Sequence, residues 1–167
     1  MPLSPGAQWP YTVGARKVFA EARLVRASSQ MNRVSPKLRI YAERLIAYER
    51  SLTASSTSRP TAAFGVIVKL DPHFGALMGA AGFRALLSRA LVLANAEVAW
   101  LRELHVKADG SFEGLSELEA QANPKEIAEG GIVLLARMLG LLVTLIGEDL
   151  TLLLLSNIND LQLSSED

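Results

Sequence analysis

Residues 140–155 read GLLVTLIGEDLTLLLL, an almost unbroken apolar stretch with Glu148 and Asp149 side by side in its middle. The longest runs without charge around it are 138–147 and 150–159, ten residues each. A transmembrane helix needs about 20 apolar residues. An aspartate at the bilayer centre costs about 2.5–3.5 kcal/mol on insertion scales. The stretch therefore predicts a helix covered by its own bundle or by a partner chain, and no membrane span.

The two acids are predicted to have structural roles. Neighbouring helical residues point about 100° apart, so Glu148 and Asp149 do not share one small catalytic site. In one helix running from 124 to about 157, with bends at 130–131, Gly140 and Gly147, Asp149 would face inward. That side carries apolar residues at helical spacing, namely Leu142, Leu145, Ile146 and Leu153. Buried charges are normally paired, so the candidate partners of Asp149 are Arg84, Arg89 and Arg137.

The same argument predicts a contact surface near this stretch. Glu148 would face solvent or a subunit boundary, because its direction differs from that of Asp149. A helix that is apolar almost all round leaves a second face for a partner to cover. Gly140, Gly147 and Glu148 are therefore the candidate interface residues.

Proline and capping signals predict the helix starts. Ser35-Pro36, Asp71-Pro72 and Asn123-Pro124 each combine a capping residue with a proline suited to the first helical turn. The segment 63–70 is apolar throughout, so periodicity alone leaves strand and helix open, and we favour helix. Breaks are expected at Gly79 and Gly82.

One segment changes period. In residues 104–115, Val106 and Phe112 flank Asp109-Gly110, a pair that favours the positive φ angles of a tight primed turn. A small two-stranded ribbon packed on the helices is expected, followed by a short acidic helix in LSELEAQ, residues 115–121. The predicted fold is therefore all-α, a compact bundle of four to six helices with one small β-hairpin.

Charge is divided along the chain although its net value is zero. Residues 1–60 contain ten Lys and Arg against three acids, whereas 61–167 contain seven against fourteen. We expect a basic, mostly disordered leader over 1–35, a helical domain over 36–159 and an acidic tail over 160–167. The leader makes nucleic-acid binding possible, but it has no aromatic residues interleaved with its bases as single-strand binders do.

Chemistry-bearing residues are few. The chain has no cysteine, and His73 and His105 are its two histidines, neither with a second ligand at metal-binding spacing. Gly75, Gly79 and Gly82 do not have the spacing of a phosphate-binding loop and lack its lysine, so close helix packing is favoured. We expect no catalytic residue, metal or cofactor.

Residues 31–159 resemble a group of small uncharacterised bacterial α-helical proteins with no assigned activity. The resemblance is carried by AERLIAYE, GFRALLSRALVLANAEV, VKADGSFEGL and LLVTLIGEDLTLLLL. It transfers no functional residue. It implies a start near Met31, which would make 1–30 an upstream extension.

The expected function follows from these exclusions. The chain is predicted to be a cytoplasmic, non-enzymatic interaction or regulatory module, either a homo-oligomer through its C-terminal helix or the binder of a helical partner. The alternative is a helical protein that binds a small apolar ligand in an interhelical pocket.

Overall fold

Six α-helices and one two-stranded antiparallel sheet make up the part of the chain that the structure describes. The computed structural model defines residues 35–52 and 61–164, with side chains to Asn157. By internal contacts the chain divides into Met1–Arg33 and Val34–Asp167, and every element named here belongs to the second unit. The helices are α1 (Pro36–Leu52), α2 (Ala62–Met78), α3 (Ala80–Asn95), α4 (Leu115–Gln121), α5 (Pro124–Ile146) and α6 (Glu148–Ser164).

This architecture confirms the predicted all-α class with one small hairpin. A 3₁₀ helix, Ala99–Glu103, connects α3 to the strands β1 (His105–Val106) and β2 (Phe112–Glu113). The helix α6 extends to Ser164, past the predicted end of the domain at 159. Residues 1–34 of the predicted leader lie outside the described residues.

Helix α5 occupies the centre of the bundle and contacts α1, α2, α3, α4 and α6. It begins as predicted, because the Asn123 side chain accepts a hydrogen bond from the Lys125 amide at 3.0 Å and Pro124 occupies the first turn. From Val133 to Leu139 every residue is buried. Two glycines let neighbours approach closely: a Cβ on Gly130 would lie 2.2 Å from the Trp100 ring.

The contact of α5 with α2 is equally close. A Cβ on Gly131 would lie 2.6 Å from the Cβ of Ala63 and 3.4 Å from the Phe64 ring. Real Cβ atoms do not approach other heavy atoms to under 3.0 Å. The distance between these two helices therefore depends on the missing side chain at Gly131.

Helix α1 packs one face on the bundle and begins at Pro36, as predicted. The Ser35 carbonyl accepts a hydrogen bond from the Arg39 amide at 3.0 Å. Arg39 ties α1 to α5 through two 2.7 Å hydrogen bonds to the Glu129 carboxylate, which raise the pKa of Arg39. Lys69 of α2 contacts Glu49 at 2.5 Å. The buried residues of α1 are Ala42, Leu45, Ile46 and Glu49.

Residues 63–70 are helical, as favoured, but a new helix does not begin at Asp71-Pro72. Pro72 lies inside α2, and the helix continues to Met78. Leu70 and Phe74 are 3% and 1% exposed, one helical turn apart on the side away from the exposed Pro72. Burial on both sides of the proline outweighs the hydrogen bond that proline removes. The predicted helix start at Asp71-Pro72 was wrong because the local sequence contains no information about the burial of Leu70 and Phe74.

The predicted break at Gly79 is confirmed, whereas the one at Gly82 was wrong. Gly79 has φ +81° and separates α2 from α3, and Gly82 lies within α3. Phe74 and Phe83 bring the two helices together with stacked rings whose centroids are 6.4 Å apart. The buried face of α3 agrees with the spacing of its apolar residues and contains Phe83, Leu87, Ala90, Leu91 and Ala94.

The hairpin is confirmed, but its turn differs from the prediction. Val106 pairs with Phe112, and the Gly110 amide donates to the Lys107 carbonyl at 3.1 Å. Gly110 has φ +81°, while Asp109 does not have a positive φ. This geometry fits a type I turn followed by a left-handed glycine, not a primed turn. The Phe112 ring meets the Phe64 ring edge-on at 5.2 Å, which fixes the hairpin to α2.

Asp109 stabilises the turn from within. Its Oδ1 accepts hydrogen bonds from the Ser111 hydroxyl at 2.6 Å and the Ser111 amide at 2.9 Å. These bonds favour the ionised carboxylate and lower the pKa of Asp109. The turn therefore loses a stabilising charge as pH falls through the pKa of this carboxyl in the folded protein.

Replacing Gly110 with valine is expected to lower the free energy of unfolding by about 1–3 kcal/mol. A β-branched residue is strained at φ +81°, and a Cβ there would lie 2.8 Å from Oδ2 of Asp71. Urea denaturation followed by circular dichroism measures the change. Ala108→Val, at an exposed position of the same turn, is the matched control. Equal stability of the two variants would contradict the role of Gly110.

Candidate functional site

The apolar stretch with two acids is not one helix. Helix α5 ends at Ile146 and α6 begins at Glu148, with Gly147 between them at φ +87°. The Gly147 amide donates to the Val143 carbonyl at 2.9 Å, and its carbonyl accepts from the Thr151 amide at 3.2 Å and hydroxyl at 2.7 Å. A side chain is strained at this φ, so glycine permits the break.

The break explains the two acids. Glu148 and Asp149 form the first turn of α6. The N-terminal end of a helix carries a partial positive charge, and acids there contribute about 0.3–1 kcal/mol each. The acids therefore occur where a new helix begins, a role that the prediction of one continuous helix did not include.

The prediction that Asp149 faces the core is wrong. Its side chain is exposed, and it has no ion pair with Arg84, Arg89 or Arg137 in the described chain. The prediction assumed that one helix continues through Gly147, so that the side facing the core in α5 also faces the core in α6. Because the helix breaks at Gly147, the residues of α6 that face the core cannot be derived from those of α5. In α6 the inward residues are Thr151 and Leu155, each 1% exposed.

The predicted arginine partners lie in three different environments. Arg137, in the middle of α5, is 5% exposed and forms an ion pair with Glu97, whose side chain is 32% exposed. Arg84 is half-buried and its Nε atom has no hydrogen-bond partner, while Arg89 is exposed. The acid that pairs with the buried Arg137 is therefore Glu97 and not the predicted Asp149. The sequence signal for Glu97 is only its place at the end of an apolar helical face.

The three candidate interface residues also differ in their surroundings. Glu148 is half-buried and forms an ion pair with Lys37 at the start of α1. Gly140 is partly covered by α1, since a Cβ there would lie 3.5 Å from Cδ1 of Leu38. Gly147 is exposed. The acid that makes a contact is thus Glu148, and the acid that faces solvent is Asp149, the reverse of the predicted roles.

Exposed leucines surround the break. Leu145 is 63% exposed, Leu150 is 42% exposed and Leu153 is 55% exposed. We call these three residues the elbow surface. Leu145 lies on the same stripe of α5 as Met138 and Leu142, both 0% exposed, at spacings of seven and three residues. The apolar stripe that forms the core therefore continues beyond the point at which the bundle covers it.

The described residues contain no group of three His, Cys, Asp or Glu that could hold a metal ion. His73 and His105 are both exposed, and Nδ1 of His105 lies 3.2 Å from the Glu103 carbonyl oxygen. Gly75 and Gly82 lie within helices α2 and α3, so the glycine run does not form a phosphate-binding loop there.

Among the described helices, α5 alone is long and apolar enough to cross a membrane by length and composition. In the fold, 56% of its 18-residue apolar window is buried inside the protein. Core helices of soluble proteins have the same length and composition, so this finding is weak evidence for a membrane span.

The chain matches no family model, no curated protein and no solved structure in the comparisons with known proteins.

Proposed function

We propose that this protein is a non-enzymatic helical module that self-associates through the elbow surface. The observation that carries the proposal is the exposure of Leu145 on the stripe that buries Met138 and Leu142 completely. A core-forming stripe that extends past its own bundle is completed when a second apolar surface covers it.

The energetics support association of modest strength. Full burial of a leucine side chain contributes about 1.5–3 kcal/mol. The elbow surface offers three leucines per protomer, each already partly covered, so only a fraction of that energy is gained on association. Single exposed apolar residues are common on soluble proteins. What favours an interface here is the presence of three within nine residues, on both sides of a helix break.

The test is the oligomeric state of the full chain and of Leu145→Glu/Leu153→Glu. We expect sedimentation velocity to show a concentration-dependent oligomer for the wild type and a monomer for the double variant. Leu77→Glu is the matched control, because Leu77 is 54% exposed but lies at the end of α2. A wild type that stays monomeric to about 100 μM, where a Kd of tens of micromolar gives detectable dimer, would refute the proposal.

The alternative, a small apolar ligand held between helices, remains a prediction from composition. Native mass spectrometry of the purified protein distinguishes it from self-association, because a retained ligand adds mass to the monomer and a partner chain doubles it. Nucleic-acid binding through the leader concerns residues outside the described chain, and salt-dependent retention on DNA tests it.

A further inference from the structure

Two exposed opposite charges, one on α1 and one on α6, have no ion-pair partner among the described residues. Arg44 of α1 and Asp149 of α6 are both exposed. Asp149 lies one helical turn before Leu153, and Arg44 lies one turn after Ile40, which is 51% exposed. Each charge therefore borders an exposed apolar side chain on its own helix.

The helices that carry these charges meet at their N-terminal ends. Lys37 in the first turn of α1 contacts Glu148 in the first turn of α6. Lys37, Ile40 and Arg44 share the solvent side of α1, since they are spaced by three and four residues. The first turns of α1 and α6 are therefore in contact. We call Arg44, two turns further along α1, the basic edge and Asp149, in the first turn of α6, the acidic edge, and each lies beside an exposed apolar side chain.

A surface with this arrangement is complementary to itself. Rotation by 180° about an axis through the junction places the basic edge of one copy on the acidic edge of the other, and the contact occurs twice. We propose that two copies of the chain form a two-fold dimer in which Arg44 of each protomer pairs with the partner's Asp149. This inference rests on the proposed function, and it adds the geometry and the residues that set the orientation.

The charges set the orientation more than the strength of the contact. The exposed leucines provide the apolar area, whereas complementary charges at the edge of an interface select one alignment and disfavour others. In a two-fold contact both charged edges of each copy are paired, so no further copy can be added and the assembly stops at the dimer. A head-to-tail contact would leave one edge open on each copy and would continue to add protomers.

A charge-reversal series on the full chain tests the arrangement. Arg44→Glu and Asp149→Arg are made singly and together, and the dimer Kd is measured by sedimentation equilibrium at low ionic strength. Because each reversal affects two symmetric contacts, we expect each single change to weaken the dimer about tenfold. The double variant restores the opposite charges and is expected to return to within about threefold of the wild type.

Two matched controls separate pairing from effects on the fold. Glu117→Arg reverses an acid in the first turn of α4, just as Asp149 is an acid in the first turn of α6. Arg89→Glu reverses an exposed arginine of α3. Both controls are expected to dimerise as the wild type does, and circular dichroism verifies that all variants are folded.

The outcomes are distinguishable from failure of the proposed function. If the dimer Kd of the double variant is as high as that of the single variants, the two-fold arrangement is overturned and self-association is left intact. Species that keep growing with concentration would overturn it in the same way. A monomeric wild type would overturn both proposals.

Discussion

Replacing Gly131 with alanine is expected to lower the free energy of unfolding by about 1–2 kcal/mol, although alanine is the better helix former. A Cβ at this position would lie 2.6 Å from the Cβ of Ala63, an atom attached directly to the backbone of α2. Neither atom can move without displacing its helix. The overpacking cost of about 1–3 kcal/mol therefore exceeds the gain in helix propensity of about 0.5–1 kcal/mol.

Gly140→Ala is the matched control within the same helix. A Cβ at Gly140 would meet the nearest side-chain atom at 3.5 Å, an ordinary contact distance. This change is therefore expected to raise the free energy of unfolding by about 0.5–1 kcal/mol. Urea denaturation of both variants measures the change in the free energy of unfolding, which is expected to have opposite signs for the two substitutions. If the two substitutions shift stability in the same direction, the close contact of α5 with α2 does not control their packing.

Replacing Glu97 with alanine is expected to cost about 2 kcal/mol, because the Arg137 guanidinium at 5% exposure would lose its carboxylate. The value is below the 3–5 kcal/mol typical of fully buried pairs, since Glu97 retains 32% exposure. Arg137→Met is expected to cost about 1 kcal/mol, because Glu97 can be hydrated at the surface and methionine fills much of the space. The loss of stability is thus expected to be larger for removal of Glu97, the more exposed residue of the pair, than for removal of Arg137.

A double-mutant cycle measures the coupling of this pair. Glu97→Ala/Arg137→Met is expected to be more stable than Glu97→Ala alone, because the buried guanidinium is removed together with the carboxylate that it pairs with. Glu43→Ala provides the comparison, since the Arg39–Glu43 pair is exposed and its loss is expected to cost about 0.5 kcal/mol or less. Full additivity of the two single changes would show that the ion pair contributes nothing to folding.

The local signals that predicted the fold correctly share one property. Asn123-Pro124 and Asp109-Gly110 act through backbone geometry within a few residues, and the structure retains both features. Pro72 is also a local signal, but the burial of Leu70 and Phe74 on either side of it in α2 overrides it. Local chemistry therefore predicted element type, whereas packing decided that α2 continues through Pro72.

The candidate site was harder to predict because the backbone angle at one residue decides which side chains after it face the core. Gly147, at φ +87°, ends α5 and lets α6 begin in a new direction. The inward orientation predicted for Asp149 assumed an unbroken helix and therefore did not apply. The glycine was recognised as a possible bend, but sequence periodicity does not specify the angle of a break. The Glu97–Arg137 pair joins residues forty positions apart, and one sequence contains no signal for such a distant contact.

The position of Arg137 has a consequence for the chain before it folds. A newly made chain presents α5 as a 23-residue segment that meets the length and composition of a membrane helix. A cation near its middle adds about 2.5–3.5 kcal/mol to the cost of inserting that segment into lipid. The arginine that pairs with Glu97 in the finished protein therefore also biases the unfinished chain away from a bilayer and toward its own core.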